Sequence, residues 1–246
     1  MQAWSMFAHS VRLVLNNLDV ALRVSLVLYA VQVASQVYGY AAASGETVRG
    51  PDGNLYPLYT GGESFIILIL GIAALCASLW IAVAWHRYVL LNEVPQGWIP
   101  QWPGGSVMGY LWRSILLGLA VGVVLIPVIM LGAFVGPVLM LALAVGVGAY
   151  VFFRLSPILP AIAVGKDMSF KEAWQLTSGV SGTLFGLAGL MILASLILQI
   201  PTLVSGDPNS IISLVYTMVV NWFATMIGIS LLTTVYGYCV EGRGID

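Results

Sequence analysis

The sequence predicts an all-α integral membrane protein, a six-helix bundle with amphipathic helices lying at the cytoplasmic interface. Of its 246 residues, 60% are hydrophobic and only 8% are charged, whereas about 25% of residues are charged in an average soluble domain. A soluble fold of this size needs a charged surface to stay dispersed. We therefore expect the whole chain, residues 1–246, to form a single transmembrane domain.

Six segments are apolar over the roughly 20 residues that a bilayer-spanning helix needs. The uncharged run 114–153 is long enough for two of them, and its glycines place a turn within 131–136. Pro127 falls inside the third span, where it removes one backbone hydrogen bond. The predicted spans are 20–40, 64–84, 114–130, 136–153, 183–203 and 211–236.

Lys and Arg residues divide very unevenly between the two sides of this arrangement. The positive-inside rule therefore predicts that both termini are cytoplasmic. One side carries Arg49 alone, and the other carries Arg12, Arg23, Arg87, Arg113, Arg154, Lys166, Lys171 and Arg243.

The N-terminus could also be interpreted as a cleaved signal peptide, because Ala41–Ala43 resembles a cleavage site. However, the polar segment before the first apolar run is too long for a signal peptide, and the apolar run itself has the length of a span.

Two segments outside the spans have the pattern of amphipathic helices. Residues 1–19 carry apolar side chains at helical spacing, which favours an interfacial helix over a plain continuation of the first span. Ser169 and Glu172 form a Ser-x-x-Glu capping box that predicts a short helix from Phe170 to Thr177.

The loop 88–112 is rich in proline, glycine and tryptophan, so it cannot be one regular helix. Trp98 and Trp102 in this loop are candidates for docking a partner protein. The alternative is that these side chains anchor the loop at the lipid headgroups, as tryptophans beside membranes usually do.

No charged residue falls at mid-depth in a predicted span, whereas ion-driven transporters usually place one there. Gln32, Gln36 and Asn221 are polar residues within spans. Amides of this kind usually join helices by hydrogen bonds. The other possibility is that these three line a small polar cavity.

Three residues lie where spans end. His86 is a candidate ligand for a haem or chlorophyll metal, but no second histidine lies at a matching depth, so we predict no cofactor. The pattern favours instead a polar interfacial cap that His86 forms with Arg87. Arg87 and Arg154 are expected to reach lipid headgroup phosphates or helix-end carbonyls.

Catalytic and metal-binding patterns are missing from the sequence. It contains no His-Glu-x-x-His, Cys-x-x-Cys, Gly-x-Ser-x-Gly or Walker motif, so we expect neither an enzyme nor a metal site. The formal net charge of -1 and the lack of a basic run argue against nucleic-acid binding.

Three pairs of small residues predict close helix packing: Gly118 with Gly122, Ala142 with Gly146, and Gly182 with Gly186.

The stretch Phe153-Arg-Leu-Ser-Pro-Ile-Leu-Pro-Ala-Ile-Ala-Val164, followed by Ser169-Phe-Lys-Glu-Ala-Trp174, resembles a bacterial membrane pattern. It is similar to the membrane domain attached to some glycerophosphodiester phosphodiesterases and to free-standing relatives of that domain. The resemblance covers about residues 150–195 and implies a bacterial inner-membrane protein with this topology. It implies no catalytic residue, since the phosphodiesterase barrel is not part of this sequence.

Two functions are compatible with these patterns. The first is a non-enzymatic accessory or scaffold subunit of a respiratory or photosynthetic complex, with membrane lipids and other integral membrane proteins as partners. The alternative is a lipid-handling protein or membrane carrier with Gln32, Gln36 and Asn221 in a polar cavity and Arg87 and Arg154 on phosphates.

Overall fold

A computed structural model describes residues 2–43, 45–204 and 211–245 of the chain. The fold is an all-α bundle with six helical segments long and apolar enough to cross a membrane, which confirms the predicted fold class. The elements are α1 Gln2–Leu15, α2 Leu18–Ala43, β1 Thr47–Arg49, β2 Leu55–Pro57, α3 Gly61–Leu91, α4 Gly104–Val135, α5 Pro137–Leu155, α6 Ile158–Ala163, α7 Phe170–Leu176, α8 Ser181–Val204 and α9 Ile211–Glu241.

The observed helices extend beyond several predicted spans. The second spanning helix continues to Leu91 and the third already begins at Gly104. The sequence-based limits, 64–84 and 114–130, stopped short because polar interfacial residues continue a helix without being apolar enough to count as a span. Between these helices, residues 92–103 have no regular structure, as the prolines of this loop predicted.

Local chemistry explains where the helices stop. Asn92 adopts a left-handed conformation with φ of 57° at the end of α3, a conformation that asparagine tolerates better than most residues. Gly136 has a φ of 90° and alone separates α4 from α5, so the predicted turn is confined to one residue. Pro127 lies inside α4, as predicted.

The N-terminal segment forms a separate helix, and the break at positions 16–17 excludes a plain continuation of the first span. Its apolar side chains lie on two different surfaces of the helix. Met6 and Val14 are buried in the bundle, whereas Phe7, Val11 and Leu15 line a groove described below. Helix α1 therefore packs into the protein instead of only lying beside it.

The core is concentrated at one end of the bundle. We call this the basic end, because Arg87, Arg113, Arg154, Lys166 and Arg243 lie there, and we call the other the opposite end. Helix α3 buries most residues from Ala77 to Leu90, and α9 buries every residue from Ile229 to Gly237. In contrast, the opposite half of each span is largely exposed, as expected for a surface that faces lipid.

At the opposite end, the loop between α2 and α3 contains a small antiparallel hairpin of β1 and β2. Asp52 organises its turn by accepting hydrogen bonds from Tyr56 Oη, at 2.6 Å, and from the Asn54 side chain. The hydrogen bond from Tyr56, together with those from Asn54, lowers the pKa of Asp52. Hydrogen bonds within the hairpin therefore hold its turn together.

Candidate functional site

Helix α1 separates α8 from α9 at the basic end. Gln2 bridges them, because its Oε1 accepts a hydrogen bond from Thr183 at 3.0 Å and its Nε2 donates to Tyr238 Oη at 2.6 Å. Gly186 permits the approach of α1, since a Cβ added there would lie 3.1 Å from Ala3 Cβ. As a result α8 and α9, although consecutive, make few direct contacts with each other, and a cleft runs between them.

The part of the cleft nearer the basic end is apolar. Helix α1 forms its floor and the two spans form its walls, enclosing a cavity of ≈ 300 Å³. This volume lies at the lower limit of the roughly 300–1,000 Å³ typical of small-molecule sites. The lining consists of Phe7, Val11, Leu15, Met191, Ala194, Ser195, Leu198, Val220, Phe223, Ala224 and Ile227.

The part nearer the opposite end carries polar as well as apolar side chains, and we call it the polar part; its volume is ≈ 320 Å³. It shares Ser195, Leu198, Val220 and Ala224 with the apolar part, so the two cavities form one continuous cleft. Its polar lining residues follow helical spacing on both walls. They are Ser195, Gln199 and Thr202 on α8, and Tyr216, Thr217 and Asn221 on α9.

These polar side chains are paired to different extents. Tyr216 Oη donates to the Leu198 carbonyl at 3.0 Å, and Gln199 Nε2 donates to the Ser195 carbonyl at 3.1 Å. The Asn221 amide, by contrast, makes no hydrogen bond to any residue that the structure describes. It is exposed on the cleft wall.

The structure does not bring Gln32, Gln36 and Asn221 together in the cleft, which was the alternative to helix-joining hydrogen bonds. Asn221 lines the cleft, whereas neither glutamine of α2 is among the described lining residues. Helix α2 contacts the other face of α9, where Trp222 Nε1 donates to Ser25 Oγ at 2.8 Å. The Gln32 Nε2 atom is buried and has no partner in the described part of the chain, and Gln36 is exposed.

His86 lies in a buried polar seam between α3 and α9. Thr233 Oγ1 donates to the Ile229 carbonyl at 2.9 Å, so it accepts from the His86 Nδ1–H at 2.8 Å. His86 Nε2 then accepts from Tyr110 Oη at 3.3 Å. Both ring nitrogens are thus engaged within the protein, and His86 is buried instead of forming the predicted interfacial cap with Arg87.

Arg154 is also internal, with only 4% of its surface exposed. Its guanidinium donates to Thr177 Oγ1 at 2.9 Å, to Tyr150 Oη at 2.9 Å, to Ser181 Oγ at 2.7 Å and to the Trp174 carbonyl at 2.7 Å. The Trp174 ring lies 4.0 Å from the guanidinium carbon. These contacts tie α5 to α7. The Trp174 carbonyl lies in the last turn of α7, so Arg154 reaches a helix-end carbonyl, the second of its two expected contacts, and not a lipid headgroup.

Arg87 is more accessible, with 24% of its side chain exposed. Its Nε donates to Glu93 Oε2 at 2.7 Å and its Nη1 donates to the Ala163 carbonyl at 3.1 Å. Glu93, Arg87 and Trp102 line a cavity of ≈ 260 Å³ between α3 and the loop 92–103. Ala163 is the last residue of α6, so Arg87 also reaches a helix-end carbonyl, and its contact with a headgroup stays a prediction.

The two tryptophans of this loop are placed differently. Trp102 packs edge-on against Trp80, with ring centroids 4.7 Å apart, and is 53% exposed. Trp98 is 57% exposed. Docking of a partner at either residue stays a prediction.

Contacts outside the spans close the basic end. Arg243 donates to the Val89 and Leu90 carbonyls at the end of α3. Lys166 Nζ donates to Glu241 Oε1 at 3.1 Å, and this hydrogen bond raises the pKa of Lys166. The described residues hold no group of three or more His, Cys, Asp or Glu side chains that could bind a metal ion.

The polar part of the cleft has a signal in the sequence that a search for charges overlooks. Ser195, Gln199 and Thr202 recur at spacings of four and three residues, and Thr217 precedes Asn221 by four. Each set falls on one face of a helix. The sequence does not show that the two faces lie opposite each other across one cleft.

Comparison with known proteins adds no relative to this description. No protein-family model matches the chain, and no curated protein or solved structure is significantly similar to it. The resemblance to the membrane domain of glycerophosphodiester phosphodiesterases therefore stays a prediction.

Proposed function

We propose that this polytopic membrane protein is a non-enzymatic lipid-handling protein that holds a hydrocarbon chain in the cleft between α8 and α9. The observation that carries this proposal is the apolar part of the cleft, walled by two spans and floored by α1. A cleft open to the bilayer is filled by hydrocarbon, because water there would lose its hydrogen bonds.

A bulky side chain inside the cleft tests this proposal. Ala224 lines both parts of the cleft, so Ala224→Trp fills the junction between them. Ala142→Trp is the matched control, because Ala142 is exposed on α5 and does not line the cleft. Native mass spectrometry of the protein released from lipid nanodiscs measures how much lipid stays bound.

We expect the wild-type protein and Ala142→Trp to retain lipid adducts under collisional activation that removes loosely attached lipid. Under the same conditions Ala224→Trp should lose its adducts about tenfold more readily. Equal retention in all three proteins would overturn the proposal.

A second candidate is the accessory subunit of a respiratory or photosynthetic complex, and the surface of α4 favours it. A Cβ added at Gly118 or Gly122 would meet nothing within 4 Å, so this pair does not pack helices within the described bundle. Small residues on a lipid-facing surface allow another helix to approach closely. Gly118→Leu with Gly122→Leu should then release a co-purifying membrane protein, while Gly71→Leu, at another open site on α3, should not.

We further propose that the protein lies in the bacterial inner membrane with its basic end in the cytoplasm. The support is the excess of Lys and Arg at that end. Alkaline phosphatase is active only outside the cytoplasm, so a fusion after Arg243 should be inactive. A fusion within the β1–β2 hairpin should be active, and the reverse pattern would invert the topology.

A further inference from the structure

We infer that the polar part of the cleft selects an amphiphile whose head is uncharged and carries carbonyl or hydroxyl oxygens. This inference rests on the proposed lipid-handling function and concerns the same cleft, but it depends on different residues. The apolar part accounts for a hydrocarbon chain, whereas the polar part determines which head accompanies it.

The depth of Asn221 is the first step of the argument. It lies ten residues after Ile211, the first residue of α9, which is about 15 Å along a helix. The hydrocarbon core of a bilayer is about 30 Å thick. In the sequence the apolar run begins at Ile211, directly after the polar residues 205–210, which sets the start of the hydrocarbon core near Ile211. Asn221 therefore lies near mid-depth, below the level of phospholipid headgroups and of bulk water.

An amide at this depth needs a hydrogen-bonding partner. The Asn221 side chain finds none among the described residues, although it is exposed on the cleft wall. Leaving a polar group unpaired in hydrocarbon is strongly unfavourable. The ligand that fills the cleft can remove this cost by offering an oxygen to the Asn221 Nδ2–H group.

The charge of the lining is the next step. Within the described part of the chain, no Lys, Arg, His, Asp or Glu side chain lines either part of the cleft. A phosphate at this depth would have no cation to pair with and would be costly to bury. Hydroxyl and amide groups on Gln199, Thr202, Thr217 and Asn221 suit a neutral head instead.

Two matched photoreactive lipids can test this selectivity. The first is a diacylglycerol with a diazirine in one acyl chain, and the second is a phosphatidylglycerol with the same acyl chains. Each probe is incorporated at equal density into nanodiscs holding the full-length protein. Labelling of α8 and α9 peptides is then quantified after irradiation.

Asn221→Leu is the informative variant, because leucine has a similar volume but no hydrogen-bonding group. We expect wild-type protein to be labelled at least fivefold more by the diacylglycerol, and Asn221→Leu to label with both probes equally while keeping its total labelling. Gln36→Leu is the matched control, because it removes an exposed amide from α2, outside the cleft, and it should keep the wild-type preference.

The variants separate failure of this inference from failure of the proposed function. If Ala224→Trp abolishes labelling by both probes but Asn221→Leu keeps the wild-type preference, the cleft binds lipid and the inference about the head is wrong. If Ala224→Trp labels like the wild type, the cleft is not the lipid site and both fail. Crosslinks between two copies of the chain at Asn221 would assign its partner to a second copy and overturn the inference.

Discussion

At the basic end of the bundle, hydroxyl, imidazole and indole groups of α1, α3 and α9 hydrogen-bond to one another in a buried seam, whereas towards the opposite end α8 and α9 part around an unpaired amide. Trp85 Nε1 donates to Ser230 Oγ at 2.8 Å, and Ser10 and Thr234 share a hydrogen bond of 2.8 Å. Asn221 has no such partner in the described part of the chain.

The difference between the two ends separates stability from binding. Buried polar groups that are fully paired fix the relative positions of helices. A side chain on the cleft wall that is left unpaired, such as Asn221, contributes little to the fold and is available to a ligand. We therefore expect substitutions at the basic end to affect unfolding, and substitutions in the cleft to affect lipid retention.

The largest expected effect on stability is at Arg154. Arg154→Ala would remove the guanidinium hydrogen bonds to the Trp174 carbonyl and to several hydroxyl groups, and hydrogen bonds that involve a charged group contribute about 1.5–3 kcal/mol each. We expect a loss of about 3 kcal/mol, measured as the free energy of unfolding in detergent micelles. Arg49→Ala, at an exposed arginine of the opposite end, is the matched control and should have almost no effect. Equal losses of unfolding free energy in Arg154→Ala and Arg49→Ala would contradict the expected difference between the two ends.

A smaller effect is expected at the seam between α3 and α9. Thr233→Val keeps the shape of the side chain but leaves His86 Nδ1–H without its acceptor. Side-chain hydrogen bonds between membrane helices contribute about 0.6 kcal/mol on average and up to about 1.7 kcal/mol. We expect a loss of about 1.5 kcal/mol in the same unfolding measurement, because this site is fully buried.

The same Thr→Val substitution on the cleft wall tests the difference between the basic end and the cleft. Thr217→Val should leave the free energy of unfolding unchanged, since Thr217 faces the cleft. If Thr217→Val destabilises the protein as much as Thr233→Val, the cleft contributes to the fold and the division between the two ends fails.

The sequence predicts elements well where one local signal determines them. The length of the apolar segments predicts the six spans, and Gly136 predicts the turn between α4 and α5. The Ser169-x-x-Glu172 capping box predicts the start of α7. It predicts contacts poorly, because they depend on how helices rotate about their axes. Rotation of α9 turns Trp222 towards α2 and Asn221 towards α8, so neighbours in the sequence lie on different surfaces.

The arginines illustrate the same limit. Both Arg87 and Arg154 end a span, and the sequence treats them alike. In the structure Arg87 pairs with the carboxylate of Glu93, while Arg154 is surrounded by hydroxyl and carbonyl groups. The difference comes from α7, which packs against α5 and has no counterpart of the same kind beside Arg87 in the sequence pattern.

The two ends can also be compared through their helix caps, where the expected change in stability is smaller. Ser169 caps the seven-residue α7 and Thr60 caps the 31-residue α3, in both cases through a reciprocal capping box. Loss of a capping side chain costs about 1 kcal/mol. Ser169→Ala should speed hydrogen exchange across α7 roughly fivefold, whereas Thr60→Ala should affect only the first turn of α3. Equal fraying of both helices would contradict this expectation.

The smallest effect concerns the carboxylate of the α7 cap. The hydrogen bond from the Ser169 backbone N–H to Glu172, at 2.7 Å, lowers the pKa of Glu172 from its ordinary value of 4.5, and nearby Asp167 acts weakly in the other direction. A group whose pKa is lowered on folding stabilises the fold above its unfolded pKa and loses that contribution as the pH falls through its folded pKa. Protection of α7 amides, corrected for intrinsic exchange, should therefore decrease as the pH is lowered below 4.5. Glu172→Gln retains an acceptor that does not titrate, so its protection should not change over that range, and a parallel decrease in both proteins would show that another group controls α7.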